Sequence, residues 1–115
     1  MEDYKKKFIE FIATSGMLKF SDFTLKSGRK SPYFFNLGEC KTGAGFSKIA
    51  EYYAANIAAN ILRTPSVDYV DTSLKEGGNG TTLFGVAYKG IPLAATTALK
   101  LAEKYGIDMP VCYNR

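Results

Sequence analysis

Two apolar segments near the end of the chain are separated by a helical pattern, and this order most constrains the fold. Leu83 to Ala87 and Met109 to Tyr113 both have the length and composition of strands. Between them, Pro92 is placed in the first turn of a helix that continues to Lys104, and Gly106 is placed to end it. A strand, a helix and a second strand in this order predict an α/β fold with a parallel sheet.

Two further helices are predicted upstream. Residues 3 to 15 carry apolar side chains at helical spacing, with Asp3 placed to cap this helix and Gly16 placed to end it. A second helical pattern opens at Gly43 and ends near Arg63. Its many alanines suit close packing on a sheet.

The remaining segments complete the predicted order of helix, hairpin, helix, strand, helix and strand. Val67 to Val70 is predicted to be a short strand, and the polar stretch after it contains Gly77-Gly78-Asn79-Gly80. Those glycines favour a turn or loop, although successive glycine amides could also form an anion-binding nest. Met109 to Tyr113 runs to the last residues with no helix after it, so the predicted sheet is incomplete at the C-terminus.

Composition excludes several classes of function. The 115 residues are enough for one domain at most, and the net charge of +4 with a pI near 9.0 favours an anionic partner. The chain has no histidine, which removes Ser-His and Cys-His catalysis and the commonest zinc sites. Cys40 and Cys112 have no CxxC spacing, so free thiols are expected. No stretch has the length of a membrane span or the pattern of a secretory signal.

Residues 24 to 36 are the richest in chemistry, because three cations and three consecutive aromatic residues surround a glycine and a proline. Leu25, Lys26 and Ser27 are predicted to run as a strand, and Gly28 allows a tight reversal. Ser31 to Asn36 then returns antiparallel.

The side chains of this hairpin suit a flat, anionic ligand. Neighbouring residues on a strand point to opposite faces, so Phe34 and Phe35 cannot both enter one core, and one of them is free to flank a ligand. Lys26, Arg29 and Lys30 supply cations for carboxylate or phosphate. The alternative is a basic surface hairpin with one buried Phe.

The strand-to-helix junction at residues 85 to 92 is a second candidate site. Parallel α/β folds bind ligands at the carboxyl ends of their strands, and exposed amides at the start of a helix favour phosphate. Lys89 adds a positive charge beside them. The spacing matches neither a Walker A loop nor GxGxxG, and a close-packed turn that needs glycines for steric reasons is the alternative.

Three blocks in the same order resemble the bacterial-type orotate phosphoribosyltransferases. They are TLKSGRKSPYFFN at 24–36, AYKGIPLAATTA at 87–98 and ALKLAEKYGIDMPVCYNR at 98–115. The resemblance extends from about Phe8 to Arg115, apart from residues 63 to 82.

The resemblance implies an α/β fold of the type I phosphoribosyltransferase kind, a parallel sheet flanked by helices with an N-terminal helix-hairpin hood. Residues 1 to 115 would be the N-terminal part of one such domain. The implied reaction is the transfer of a phosphoribosyl group from phosphoribosyl pyrophosphate (PRPP) to orotate in pyrimidine biosynthesis, giving orotidine 5'-monophosphate and pyrophosphate. It further implies Mg²⁺ bound mainly through the diphosphate, a cytoplasmic homodimer with shared active sites, and no nucleic acid or membrane partner.

Six residues receive roles through the resemblance. Lys26 would contact the anionic groups of the substrates, and Phe34 and Phe35 would line the orotate site. Tyr88 and Lys89 would belong to the loop that receives pyrophosphate, and Arg115 would grip the diphosphate. Lys26, Lys89 and Arg115 would be the catalytic cations, because positioning and charge stabilisation of the departing pyrophosphate drive the reaction.

The chain departs from the resembled family in length, in the segment at 63 to 82 and at Val86, where proline is usual. The family continues past the Asn-Arg pair into a mobile loop and an acidic segment that holds the ribose. We therefore expect an N-terminal portion that lacks turnover alone, with weaker diphosphate affinity because of Val86. A non-catalytic fragment that only binds orotate or dimerises is the main rival, and a basic RNA-binding domain is the other.

Overall fold

The computed structural model describes residues 2–60 and 82–114 and divides the chain into two compact units. The first unit is Met1–Thr42 and the second is Gly43–Arg115. The helices and strands in chain order are α1 (Asp3–Thr14), β1 (Leu18–Thr24), β2 (Lys30–Phe35), α2 (Gly43–Asn60), β3 (Leu83–Gly85), α3 (Gly90–Tyr105) and β4 (Val111–Tyr113). This order confirms the predicted α/β class. Within the described ranges, none of the helices combines the length and apolar composition that crossing a membrane requires.

The first predicted helix is confirmed as α1, but Asp3 does not cap it. The backbone N–H of Lys5 donates to the carbonyl of Glu2 at 3.0 Å, so the first turn already begins at Glu2. Asp3 lies inside that turn and forms an ion pair with Lys7 at 2.8 Å. Gly16 follows the helix with φ of 83°, a left-handed conformation that only glycine adopts readily, and it ends the helix as predicted.

The antiparallel hairpin of the first unit is also confirmed. Its register pairs Leu18 with Phe35 at one end and Thr24 with Lys30 at the other. The register shifts between Phe20 and Phe23, where β1 carries one more residue than β2, as in a β-bulge.

The prediction that Leu25, Lys26 and Ser27 form a strand is wrong. The N–H of Gly28 donates to the carbonyl of Leu25, and the N–H of Leu25 donates to the carbonyl of Arg29, both at 2.9 Å. These bonds close a turn. The first strand of the hairpin is β1, which ends at Thr24, before these residues. Gly28 has φ of 84° and supplies the backbone freedom that the turn requires.

The second unit is built around a parallel pair of strands packed with α2 and α3. β3 and β4 pair in parallel from Leu83 with Val111 to Gly85 with Tyr113, which confirms the predicted parallel sheet. Both strands are shorter than predicted, since β3 ends at Gly85 and β4 begins after Pro110, which has no N–H for a ladder. The predicted end of α2 near Arg63, the strand at 67–70 and the glycines at 77–80 lie outside the described residues.

The core of the second unit joins α2, α3 and the residues leading into β4. Its buried members are Ala54, Ile57, Leu101, Ile107 and Met109, with Leu83 of β3 packed against them. The alanine-rich face of α2 permits this close packing of the two helices.

Gly106 ends α3 with φ of 65°, as predicted. Both cysteines are free thiols, and burial raises the pKa of Cys40.

The end of β3 lies against the first turn of α3 at a distance that leaves no room for a side chain. A Cβ added to Gly85 would stand 2.8 Å from the carbonyl oxygen of Gly90 and 2.9 Å from the Cα of Ile91. Both neighbours are backbone atoms, so a side chain could be accommodated only by moving the strand away from the helix.

We expect Gly85→Ala to destabilise the chain by about 1–3 kcal/mol, because the added methyl overpacks this contact. Urea unfolding followed by circular dichroism measures the change. Gly43→Ala is the matched control, since a Cβ at Gly43 meets nothing within 4 Å. Equal stability of the two variants would contradict the close approach.

An ion pair connects α2 with α3. The Lys104 ammonium donates to the Glu51 carboxylate, which lowers the pKa of Glu51 below its ordinary value of 4.5 and raises the pKa of Lys104 above 10.5. Because the folded-state pKa of Glu51 is depressed, its contribution to stability is present above the unfolded pKa and is lost as pH falls through the folded pKa.

We therefore expect Glu51→Gln to lower the urea midpoint at pH of about 7 and to lose this effect progressively as the pH falls below the ordinary glutamate pKa of about 4.3. The midpoints of both proteins at several pH values measure it. Glu10→Gln, an exposed position of α1, serves as the control and should show no comparable difference. A Glu51→Gln effect that stays constant with pH would show that the ion pair is not its cause.

Candidate functional site

The tip of the hairpin in the first unit carries an exposed group of cations. Lys26 lies in the turn that Leu25, Gly28 and Arg29 close, and Lys30 opens β2. Among the described residues, none of the ion pairs includes Lys26, Arg29 or Lys30. The turn therefore presents three positive charges that are available to an anion.

The two aromatic residues predicted to flank a ligand are both accessible. Phe34 is 38% exposed and Phe35 is 37% exposed, so neither belongs to a core, and the alternative of a hairpin with one buried Phe is wrong. Phe34 lies opposite Lys19, and its ring centroid is 5.6 Å from that of Phe23. The hairpin thus offers aromatic surface on the same strand that Lys30 begins.

A second candidate site is the loop between β3 and α3, Val86–Lys89, which we call the junction loop. It is closed by two backbone bonds, from Gly90 N–H to the Val86 carbonyl at 2.9 Å and from Ile91 N–H to the Tyr88 carbonyl at 3.2 Å. The Ala87–Tyr88 peptide bond is cis. Tyr88 is 80% exposed, and Val86, the position usually proline in the resembled family, is also exposed.

Two successive amides of the junction loop remain available to a ligand. In residues 2–60 and 82–114, the N–H groups of Tyr88 and Lys89 make no hydrogen bond, whereas Ala87, Gly90 and Ile91 all donate one. The Tyr88 and Lys89 amides stand at the start of the 16-residue helix α3, where the helix dipole favours negative charge. Lys89 is exposed and takes part in no ion pair with the described residues.

A residue that the sequence did not single out holds the junction loop in place. The side-chain oxygen Oδ1 of Asn114 accepts the N–H of Ala87 at 2.7 Å. Because Gly85 pairs with Tyr113, Asn114 is level with the residue that follows β3. The one available signal was the Asn-Arg pair directly after β4, but only the strand register shows what the asparagine contacts.

The predicted site residues fall into both units. Lys26, Phe34 and Phe35 belong to the hairpin of the first unit, and Tyr88 and Lys89 are neighbours in the junction loop of the second. Arg115 lies outside the described residues.

Comparison with known proteins identifies relatives along the whole chain. No protein-family model matches it. It is 48% identical over 115 residues to an orotate phosphoribosyltransferase of Haemophilus influenzae and 47% identical to one of Clostridium botulinum. The match includes all of this chain but only 46% and 45% of those proteins, so the chain spans about half the length of the curated relatives it matches.

Solved structures agree with the sequence comparison. The crystal structure of an orotate phosphoribosyltransferase from Francisella tularensis matches with a TM-score of 0.70 and 45% identity, covering 95% of this chain and 46% of that one. A UMP synthase of Leishmania donovani matches with a TM-score of 0.61 at 20% identity, covering 95% of this chain and 19% of that one. At that identity the likeness shows the fold alone.

The turn that carries Lys26 depends on Gly28. We expect Gly28→Ala to destabilise the hairpin by about 1–2 kcal/mol, because a Cβ is disfavoured at φ of 84°. Hydrogen exchange of the Leu25 and Gly28 amides measures the loss of the turn. Gly28→Asn is the matched control, since asparagine tolerates this conformation better. Unchanged exchange in Gly28→Ala would contradict the assigned turn.

Proposed function

We propose that this chain takes part in phosphoribosyl transfer from PRPP to orotate. The premise is that it belongs to the orotate phosphoribosyltransferase family and spans about half the length of its relatives. The substrates are anions, and the product is orotidine 5'-monophosphate for pyrimidine biosynthesis. The observation that carries the proposal is the pair of available amides at Tyr88 and Lys89 beside the Lys89 ammonium, which forms no ion pair with any residue that the structure describes. This combination suits the diphosphate of PRPP.

The junction loop would act on the leaving group. As the bond from ribose C1 to the diphosphate oxygen breaks, negative charge accumulates on the departing pyrophosphate. Amides that already stand at the start of α3 need no reorganisation to stabilise this charge, and Lys89 adds a full positive charge. Each such fixed donor or cation contributes about 2–4 kcal/mol to transition-state stabilisation in comparable sites. A histidine base is not required.

The hairpin would bind orotate. The pyrimidine ring is flat and carries a carboxylate, so the exposed rings of Phe34 and Phe35 suit its faces and Lys26 suits its charge. We propose Lys26 and Arg115, with Lys89, as the catalytic cations. We also propose that the two units are successive parts of one phosphoribosyltransferase domain.

Mg²⁺ belongs to this proposal as the counter-ion of the PRPP diphosphate. Within residues 2–60 and 82–114, no group of three or more His, Cys, Asp or Glu side chains is placed to hold a metal ion. A metal held mainly by phosphate oxygens fits this donor set, because Mg²⁺ commonly uses few protein ligands beside substrate phosphates. When bound, it would neutralise part of the diphosphate charge.

A cytoplasmic homodimer with shared active sites completes the proposal, because Arg115 would act together with residues of a second subunit. The rival interpretation, a fragment that has no part in the reaction and only binds orotate or dimerises, is not favoured, because the curated relatives are named as the enzyme. Calorimetry with orotate and with PRPP distinguishes the two interpretations. The proposal predicts that both bind, whereas a fragment that only binds orotate leaves PRPP unbound and a fragment that only dimerises binds neither.

Turnover is measured separately as the loss of orotate absorbance with PRPP and Mg²⁺. The 115-residue chain spans about half of its relatives, and we expect it to be much slower than a full-length relative assayed alongside. Equal rates would overturn our hypothesis that this portion lacks turnover alone. Absence of orotate and PRPP binding would overturn the proposed function itself.

Removing the charge of Lys89 should weaken diphosphate binding specifically. We expect Lys89→Gln to reduce pyrophosphate affinity by about 5- to 30-fold, equivalent to about 1–2 kcal/mol, because a charge-assisted contact is lost. Titration calorimetry in the presence of Mg²⁺ measures it.

Lys6→Gln is the matched control, because Lys6 is an exposed lysine of α1 for which the described residues provide no ion pair. Both variants lose one positive charge. An equal loss of affinity in both would mean that net charge, and not the junction loop, governs binding.

A further inference from the structure

The bond between Asn114 and Ala87 connects the end of β4 to the junction loop across 27 residues of sequence. The parallel register runs from Leu83 with Val111 to Gly85 with Tyr113 and ends there. Asn114 directly follows the last residue pair of this register. The side chain of Asn114 accepts a hydrogen bond from the junction loop at the position where the paired strands end.

This contact engages the amide directly before the two that are available. Ala87 N–H is engaged by Asn114, Gly90 N–H by Val86 and Ile91 N–H by Tyr88. The two amides between them, at Tyr88 and Lys89, have no partner among the described residues. The asparagine therefore holds the residue directly before the two candidate anion donors.

A side chain is well suited to this role because the contact is local and exposed. Asn114 lies just after β4 and is itself exposed, so it contributes little to the core around Leu101 and Ile107. Its carbonyl oxygen is an acceptor that a backbone amide can use, and an apolar side chain of similar size has none.

We propose that Asn114 is a positioning residue for diphosphate binding: by accepting the N–H of Ala87, it orients the Tyr88 and Lys89 amides toward the ligand. The inference rests on the proposed function. Asn114 need not touch the ligand, because it acts through the backbone of the loop.

The test compares three forms of the 115-residue chain, unmodified, Asn114→Leu and Asn114→Asp. Leucine removes the acceptor at similar size, and aspartate retains an acceptor oxygen. Three quantities are measured on each: the urea unfolding midpoint, the hydrogen-exchange protection of the Ala87 amide, and the affinity for pyrophosphate with Mg²⁺.

We expect Asn114→Leu to lose Ala87 protection and to bind pyrophosphate about two- to tenfold more weakly, with an unchanged unfolding midpoint. Asn114→Asp should retain Ala87 protection. Rescue of protection by aspartate identifies the acceptor oxygen, and not the size of the side chain, as the cause.

Three experimental outcomes would contradict the positioning role, and they differ in what they imply for the proposed function. Pyrophosphate binding by the unmodified chain and equal binding by Asn114→Leu would overturn the positioning role and leave the proposed function intact. A lowered unfolding midpoint in Asn114→Leu, with proportional loss of orotate and pyrophosphate binding, would show an ordinary structural role and also overturn it. No pyrophosphate binding by the unmodified chain would overturn the proposed function together with the inference.

Discussion

The close approach of β3 to α3 at Gly85 is the constraint on which the second unit depends. With backbone atoms of Gly90 and Ile91 less than 3 Å from where a Cβ would stand, the strand can end directly against the helix. The chain must then reverse within Val86–Lys89. Two backbone hydrogen bonds close this short loop, but not all of its N–H groups find an acceptor among the described residues. The available amides at Tyr88 and Lys89 thus follow from this packing, and the proposed diphosphate site depends on the same glycine as the fold.

Much of this architecture could be predicted because its signals are local. Apolar spacing and terminal glycines located α1 and α3, and glycines at φ of 83° and 65° ended them as expected. The strand–helix–strand order was enough to predict the parallel pairing of β3 and β4. The same local signals were less accurate at the ends of elements. The cap of α1 is Glu2, one residue before the predicted Asp3, and β4 is shorter than predicted because it begins after Pro110.

The misses share a different cause, which is dependence on pairing between distant segments. Leu25 to Ser27 have strand-like composition, but the hairpin register begins at Leu18 with Phe35, and that register places the reversal at Leu25. Asn114 was inconspicuous for the same reason, since only the register of β4 on β3 brings it to Ala87. Candidate residue types could be recognised in the sequence, whereas the groups that orient them could not.

Charge alone does not distinguish the candidate site from the rest of the surface. Five lysines pair with a carboxylate among the described residues, and these are Lys5, Lys7, Lys41, Lys100 and Lys104. Lys6 of α1 also has no carboxylate partner within residues 2–60 and 82–114, so the lack of a partner does not by itself indicate a binding site. Lys89 differs because its charge coincides with two available amides and a helix start, a combination suited to several oxygens of one diphosphate. The hairpin offers cations with aromatic rings, which is why the flat orotate ring is proposed for the hairpin and the diphosphate for the junction loop.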